Sequence, residues 1–195
     1  MTDRKLYEEM KGLRGKDKYP NKELEEHLIE KIFPKTTEEL TLRLSNVTAG
    51  FYGLALKHIG RQWGWDKVDS ISQSLFRELG QLKTIEAQEM GVNIPRDTRA
   101  LAVVIISAIY TSSPEYNFEI LKYTPQETAI RIFGACRYFR IAKKLNIETR
   151  ITWPNLVPFF EGIAQYVGLR CKVEMEIKKL EDNGRCDYLA RFTLI

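Results

Sequence analysis

The chain has 195 residues, of which 44% are apolar and 29% charged, as in an ordinary soluble globular protein with a sizeable core. Its net charge of +4 sits mostly at the start: residues 1–22 hold seven Lys or Arg against four Asp or Glu, so only +1 is left for the other 173. That distribution argues against a nucleic-acid binder built on a basic folded face, and the first residues lack the apolar stretch of a secretory signal, so a cytoplasmic location is expected.

Residues 1–20 read as a basic mobile or docking arm, with Gly12 and Gly15 among the charges of Lys11–Lys18. Residues 21–195 read as one α+β domain, with a helical half over 21–113 and a sheet half over 114–195. Asn21 caps a short helix, Lys22–Phe33, that Pro34 ends. Thr36 or Thr37 opens a long helix reaching about Gly64. Its apolar stripe steps through Leu40, Leu44, Val47, Phe51, Leu54 and His58, which aims the imidazole inward. A further helix runs from Asp66 to Met90-Gly91, with Val68, Ile71, Leu75, Leu79, Leu82 and Glu86 as its stripe. Pro95 starts a fourth, through Tyr110; its apolar run Leu101–Ile106, which extends through Ile109-Tyr110 only with Ser107 included, reaches about half the roughly 20 residues a spanning helix needs.

After Pro114 the period changes. Phe118–Thr124 and Glu127–Ala135 read as strands about a turn at Pro125, Arg137–Leu145 as a short amphipathic helix, and Pro154–Val167 as the last helix. The chain closes on two alternating strands, Arg170–Leu180 and Arg185–Ile195, joined at Asn183-Gly184. The expected architecture is therefore a helical N-terminal half packed on a four-stranded antiparallel sheet ending in a hairpin.

Three constellations bear on chemistry. An inward His58 on one helix and an inward Glu86 on the next form a general base with its orienting group, or else a satisfied core histidine and a glutamate leaving the core. Cys136 stands beside Arg137 and Arg140, a setting that favours thiolate. Between Arg131 and Arg150 six basic residues face one acid, Glu148, which suits a carboxylate held by an arginine fork or marks a solvated helix face. Cys171 and Cys186 read as small hydrophobes on the apolar faces of neighbouring strands. Trp63 and Trp65 mark a helix junction, exposed as an apolar patch if the chain is a partner-binding scaffold, and Gly162 interrupts the aromatic last helix. No cofactor motif occurs, and two distant histidines make no metal set.

From about Phe51 to Ile195 the chain resembles the L-2-amino-thiazoline-4-carboxylic acid hydrolase-like family. The likeness rests on the helical half, the strand running into Cys136 and the closing hairpin Asn183-Gly184-Arg185-Cys186; more distantly it is similar to four-vinyl-reductase type small-molecule-binding domains. The resemblance implies hydrolytic opening of a small cyclic amidine carrying a carboxylate. Cys136, or a water activated by His58 with Glu86, would attack; Arg137, Arg140 and Tyr166 would bind the ligand. The alternative is a non-catalytic sensor or carrier. The partner expected in either case is a small anionic or aromatic molecule, with no nucleic acid and no membrane; a homodimer is left open.

Overall fold

The structure, a computed structural model, describes residues 5–195, so residues 1–4 of the expected arm lie outside it. Two compact units divide the chain, Met1–Asn46 and Val47–Ile195. In the first, residues of the expected arm form the short helices α1 (Lys5–Glu9) and α2 (Lys11–Arg14), followed by α3 (Lys22–Lys31). The Asn21 side chain accepts a hydrogen bond from the Leu24 N–H at 2.8 Å, satisfying one of the free donors of the first turn of α3. Leu6 and Ile29 are buried, and Tyr7 meets Phe33 edge to face. Thr36 Oγ1 accepts from the Glu39 N–H and so caps α4 (Thr37–Trp63), which continues into the second unit.

The second unit is the α+β fold. Its helices are α5 (Val68–Glu89), α6 (Arg99–Ser112), α7 (Arg137–Lys144) and α8 (Leu156–Tyr166), and its strands are β1 (Tyr116–Tyr123), β2 (Glu127–Ala135), β3 (Cys171–Leu180) and β4 (Arg185–Leu194). The strands form one antiparallel sheet in the order β1-β2-β4-β3. Ile130, Ile132, Tyr188, Ala190 and Phe192 point from the two central strands into the core. The other face carries charged side chains such as Arg131, Glu174 and Arg191, the wet side that period-two alternation requires. Phe160 of α8 closes on Phe192 at 5.2 Å between ring centroids. Thr98, just before α6, donates to the Thr124 carbonyl and meets the Thr128 hydroxyl at 3.0 Å, tying that helix to the β1–β2 turn.

Where α5 crosses α8, glycine meets backbone. A Cβ on Gly80 would lie 2.1 Å from the Phe159 carbonyl oxygen, and one on Gly162 would lie 1.9 Å from that of Arg77. Gly162 thus serves a close helix–helix approach.

Several expectations are corrected. The stripe of α4 points outward: Val47, Phe51, Leu54 and His58 are exposed, and the opposite face, with Ala49, Gly53 and Leu56, is buried. Small residues on that face allow close packing, as where Gly53 meets Ile141 and Leu145. On α5, Leu75 and Leu82 are likewise exposed while Ser72, Phe76, Gly80 and Thr84 are buried. Cys171 pairs with Leu194 and Cys186 with Leu180, so these thiols sit at opposite ends of the hairpin. Four residues, 181–184, lie between β3 and β4 rather than Asn183-Gly184 alone: the Glu181 N–H donates to the Arg185 carbonyl, and Gly184 takes φ +85°.

Candidate functional site

A cavity of about 240 Å³ lies in the second unit, between the sheet and the helices. Ile132 of β2 and Tyr116 of β1 form one wall, Ile105 and Ile109 of α6 another, and Phe76, Phe159 and Phe160 of α5 and α8 the rest. Of all its lining residues only Thr48, on α4, is exposed. Three aromatic rings brace that side, Tyr52, Phe76 and Tyr138, which meet pairwise edge to face at 5.2–5.4 Å. The Tyr52 hydroxyl is fixed by Ser72 Oγ at 2.6 Å.

The polar groups on the cavity are few, and its cations are committed. Arg137, the first residue of α7, is 3% exposed and forms an ion pair with the Glu115 carboxylate, itself 4% exposed. Its Nη1 also donates to Ser113 Oγ at 3.2 Å and its Nη2 to the Tyr138 hydroxyl at 3.1 Å; the guanidinium carbon lies 4.6 Å from the Tyr138 ring centroid. Burial works against the charge, but Tyr138 and Glu115 outweigh it and hold the guanidinium pKa above its ordinary value. Arg137 Nε is buried without a hydrogen-bond partner. Lys83, the other cation on the cavity, donates to Glu86 Oε2 at 2.5 Å.

The residues singled out in the sequence do not converge. His58 is exposed on the outward face of α4. Glu86 is engaged by Lys83 and does not border the cavity. Cys136 is buried and caps α7, its Sγ accepting from the Phe139 N–H at 3.4 Å. Its thiol is pushed up by burial, the opposite of the expected thiolate, because desolvation exceeds the help from Arg137. Arg140 is exposed, its stem over Gly184, and Tyr166 is exposed with its hydroxyl donating to Gln88 at 3.3 Å. Only Arg137 of the six borders the cavity.

Three of the six basic residues between Arg131 and Arg150 are paired with acids from distant segments. Arg131 grips Asp187 with two hydrogen bonds of 2.9 and 2.7 Å, Arg137 takes Glu115, and Lys143 reaches Asp182 at 2.5 Å. Sequence reasoning missed Ser112, Ser113, Glu115 and Tyr138. Ser112-Ser113-Pro114, which stops the helix through Tyr110, is the only local signal near them.

Cys186 lies across from Gly134, on the core face that also holds Cys136, Tyr116 and Tyr188. Both phenol hydroxyls are buried without a hydrogen-bond partner. Burial pushes the Cys186 thiol from 9.0 up to about 12 and raises Cys136, Tyr116 and Tyr188 as well. A folded pKa raised in this way contributes stability that is complete below the unfolded value and lost as pH rises through the folded one. The urea midpoint should therefore hold steady below about pH 9 and fall steadily between about pH 9 and 12. A midpoint that stays flat across that window would contradict the burial of these groups.

Among the described residues no cluster of three or more His, Cys, Asp or Glu side chains could hold a metal ion, and no helix is long and apolar enough to cross a membrane. Against known proteins, no family model, no curated protein and no solved structure matches this chain.

Proposed function

We propose that this chain is a binding protein for a small ring-bearing molecule with an uncharged hydrogen-bonding end, a sensor or carrier rather than a hydrolase. The observation that carries this reading is the cavity wall: aromatic and aliphatic side chains, with Ser112, Ser113 and Tyr138 as the polar points. An apolar cavity of about 150 Å³ is enough to take benzene, so one of about 240 Å³ has room for a ring and a short substituent. Both cations on the wall already face a carboxylate, so an anionic ligand would gain little that Glu115 and Glu86 do not already supply. His58, Glu86 and Cys136 stand off the cavity, and a protonated buried thiol is a poor nucleophile.

Matched pairs of ligands test the reading. In thermal-shift titrations benzamide-like compounds should raise Tm and the corresponding benzoates should raise it less, since a ligand at 100 times its Kd adds about 2.7 kcal/mol. Ala108 lines the cavity and is buried, so Ala108→Leu should fill the space. The variant should melt no lower than the parent and lose the ligand response. Benzoates that outperform the amides, or a response that survives Ala108→Leu, would rule the reading out.

A further inference from the structure

Lys83 is the one amine on the wall of the cavity. It ends a row on α5, Phe76, Leu79 and Lys83, whose spacing of three and four puts all three on one face of the helix. Its side chain is 15% exposed, so most of it lies within protein, whereas Lys22 and Lys172 are 85% and 62% exposed. Nζ donates to Glu86 Oε2 at 2.5 Å; Glu86, one turn further along α5, is 36% exposed and stands off the cavity. The pair therefore sits where the apolar wall gives way to solvent, the amine on the inner side and the carboxylate on the outer. No histidine borders the cavity to activate one of its hydroxyls, which leaves this amine as the nucleophile of the wall.

We propose that Lys83 captures a small aromatic aldehyde as a Schiff base, with Glu86 as its proton relay. The proposal rests on the cavity being a ring-binding site, and it names the uncharged end of the ligand as a carbonyl that the protein bonds covalently. Glu86 takes a proton from the ammonium, and the freed electron pair forms the N–C bond while the carbonyl oxygen takes up that proton as a hydroxyl. Glu86 then removes a second proton from nitrogen and delivers it to the hydroxyl, which leaves as water as the nitrogen pair closes the C=N bond. Ammonium and aldehyde thus give protonated imine and water, and Glu86 ends as the carboxylate it began as. Nitrogen keeps its single positive charge, so the ion pair with Glu86 survives the reaction. The apolar wall of Phe76, Leu79 and Phe159 keeps bulk water from the imine carbon and so slows its hydrolysis.

Reductive trapping of the full chain with benzaldehyde and sodium cyanoborohydride tests this, the benzylated lysines being located by peptide mapping. Lys83 should be labelled at least about 100-fold faster than Lys22 or Lys172, the gain typical of a positioned proton-transfer group. Benzamide, competing for the ring site, should suppress labelling of Lys83 and leave the exposed lysines untouched. Glu86→Gln should slow the labelling of Lys83 by at least about tenfold. Lys83→Arg keeps a cation opposite Glu86 but forms no imine, so it should fold and lose the fast adduct. Labelling of Lys83 no faster than that of the exposed lysines, or at an unchanged rate in Glu86→Gln, would overturn the capture. If benzamide still raises Tm beside that result, the ring-binding reading stands without the covalent step; if it does not, both fall.

Discussion

Gly162→Ala is expected to destabilise the second unit by at least about 3 kcal/mol, at or beyond the top of the range for overpacking. In an open helix the same change stabilises by about 1 kcal/mol, since glycine carries the larger entropy loss, so the sign alone is diagnostic. The added Cβ would sit 1.9 Å from the Arg77 carbonyl oxygen, and the offending atom is backbone, so no rotamer change relieves it. The two helices must part by more than 1 Å, and in a close-packed interior a gap of that size forfeits much of the contact along the seam. Gly80→Ala should cost a similar amount, because its Cβ would meet the Phe159 carbonyl at 2.1 Å from the other side. Once either variant has opened the seam the second should add less, making the pair non-additive. Urea unfolding reads this directly; a loss below about 1 kcal/mol for Gly162→Ala would mean the crossing is looser than described.

How much of this was legible in the sequence depends on the element. The sheet half was: β2 begins and ends where alternation said, Glu127 to Ala135, and β3, β4 and α7 agree to within a residue at each end. Period two survives because each strand keeps one wet face. The helices were placed, but the stripe of α4 and part of that of α5 face the other way. On α4 the regular 4-3-4-3 spacing of Leu44, Val47, Phe51 and Leu54 is the stronger hydrophobic signal, yet the buried side is the one with Ala49, Gly53 and Leu56. Small residues let a helix come close, and closeness buries more than side-chain size does; a hydrophobicity pattern does not carry that information. His58 was carried outward with the stripe it belonged to.

The site was less legible than the fold, for an electrostatic reason. Charge counted along the chain gave Arg131–Arg150 a strong excess, but Asp187, Glu115 and Asp182 arrive from strands and loops far away in sequence. A run of like charge is a statement about neighbours in sequence, and ion pairs are made by neighbours in space. The cavity is lined from seven elements, and no local motif could have gathered them.

Glu115→Ala is expected to lower stability by about 3–5 kcal/mol, the cost of leaving a buried charge without its partner. Arg137 cannot escape by losing its proton, since a guanidinium stays charged at any accessible pH, and it cannot swing into water from a position 3% exposed. Ser113 and Tyr138 still accept from it, but they are neutral and do not replace a carboxylate. Removing both charges with apolar side chains, Glu115→Leu with Arg137→Met, should recover most of the loss, which separates a charge effect from lost packing. The same vacancy predicts a change of ligand preference. Arg137 borders the cavity, so in Glu115→Ala a benzoate can take the place of the missing carboxylate, and it should raise the Tm of the variant several times more than that of the parent. If Glu115→Ala melts like the parent, or benzoate fails to rescue it while benzamide does, then the Glu115 carboxylate is not what keeps this cavity closed to anions.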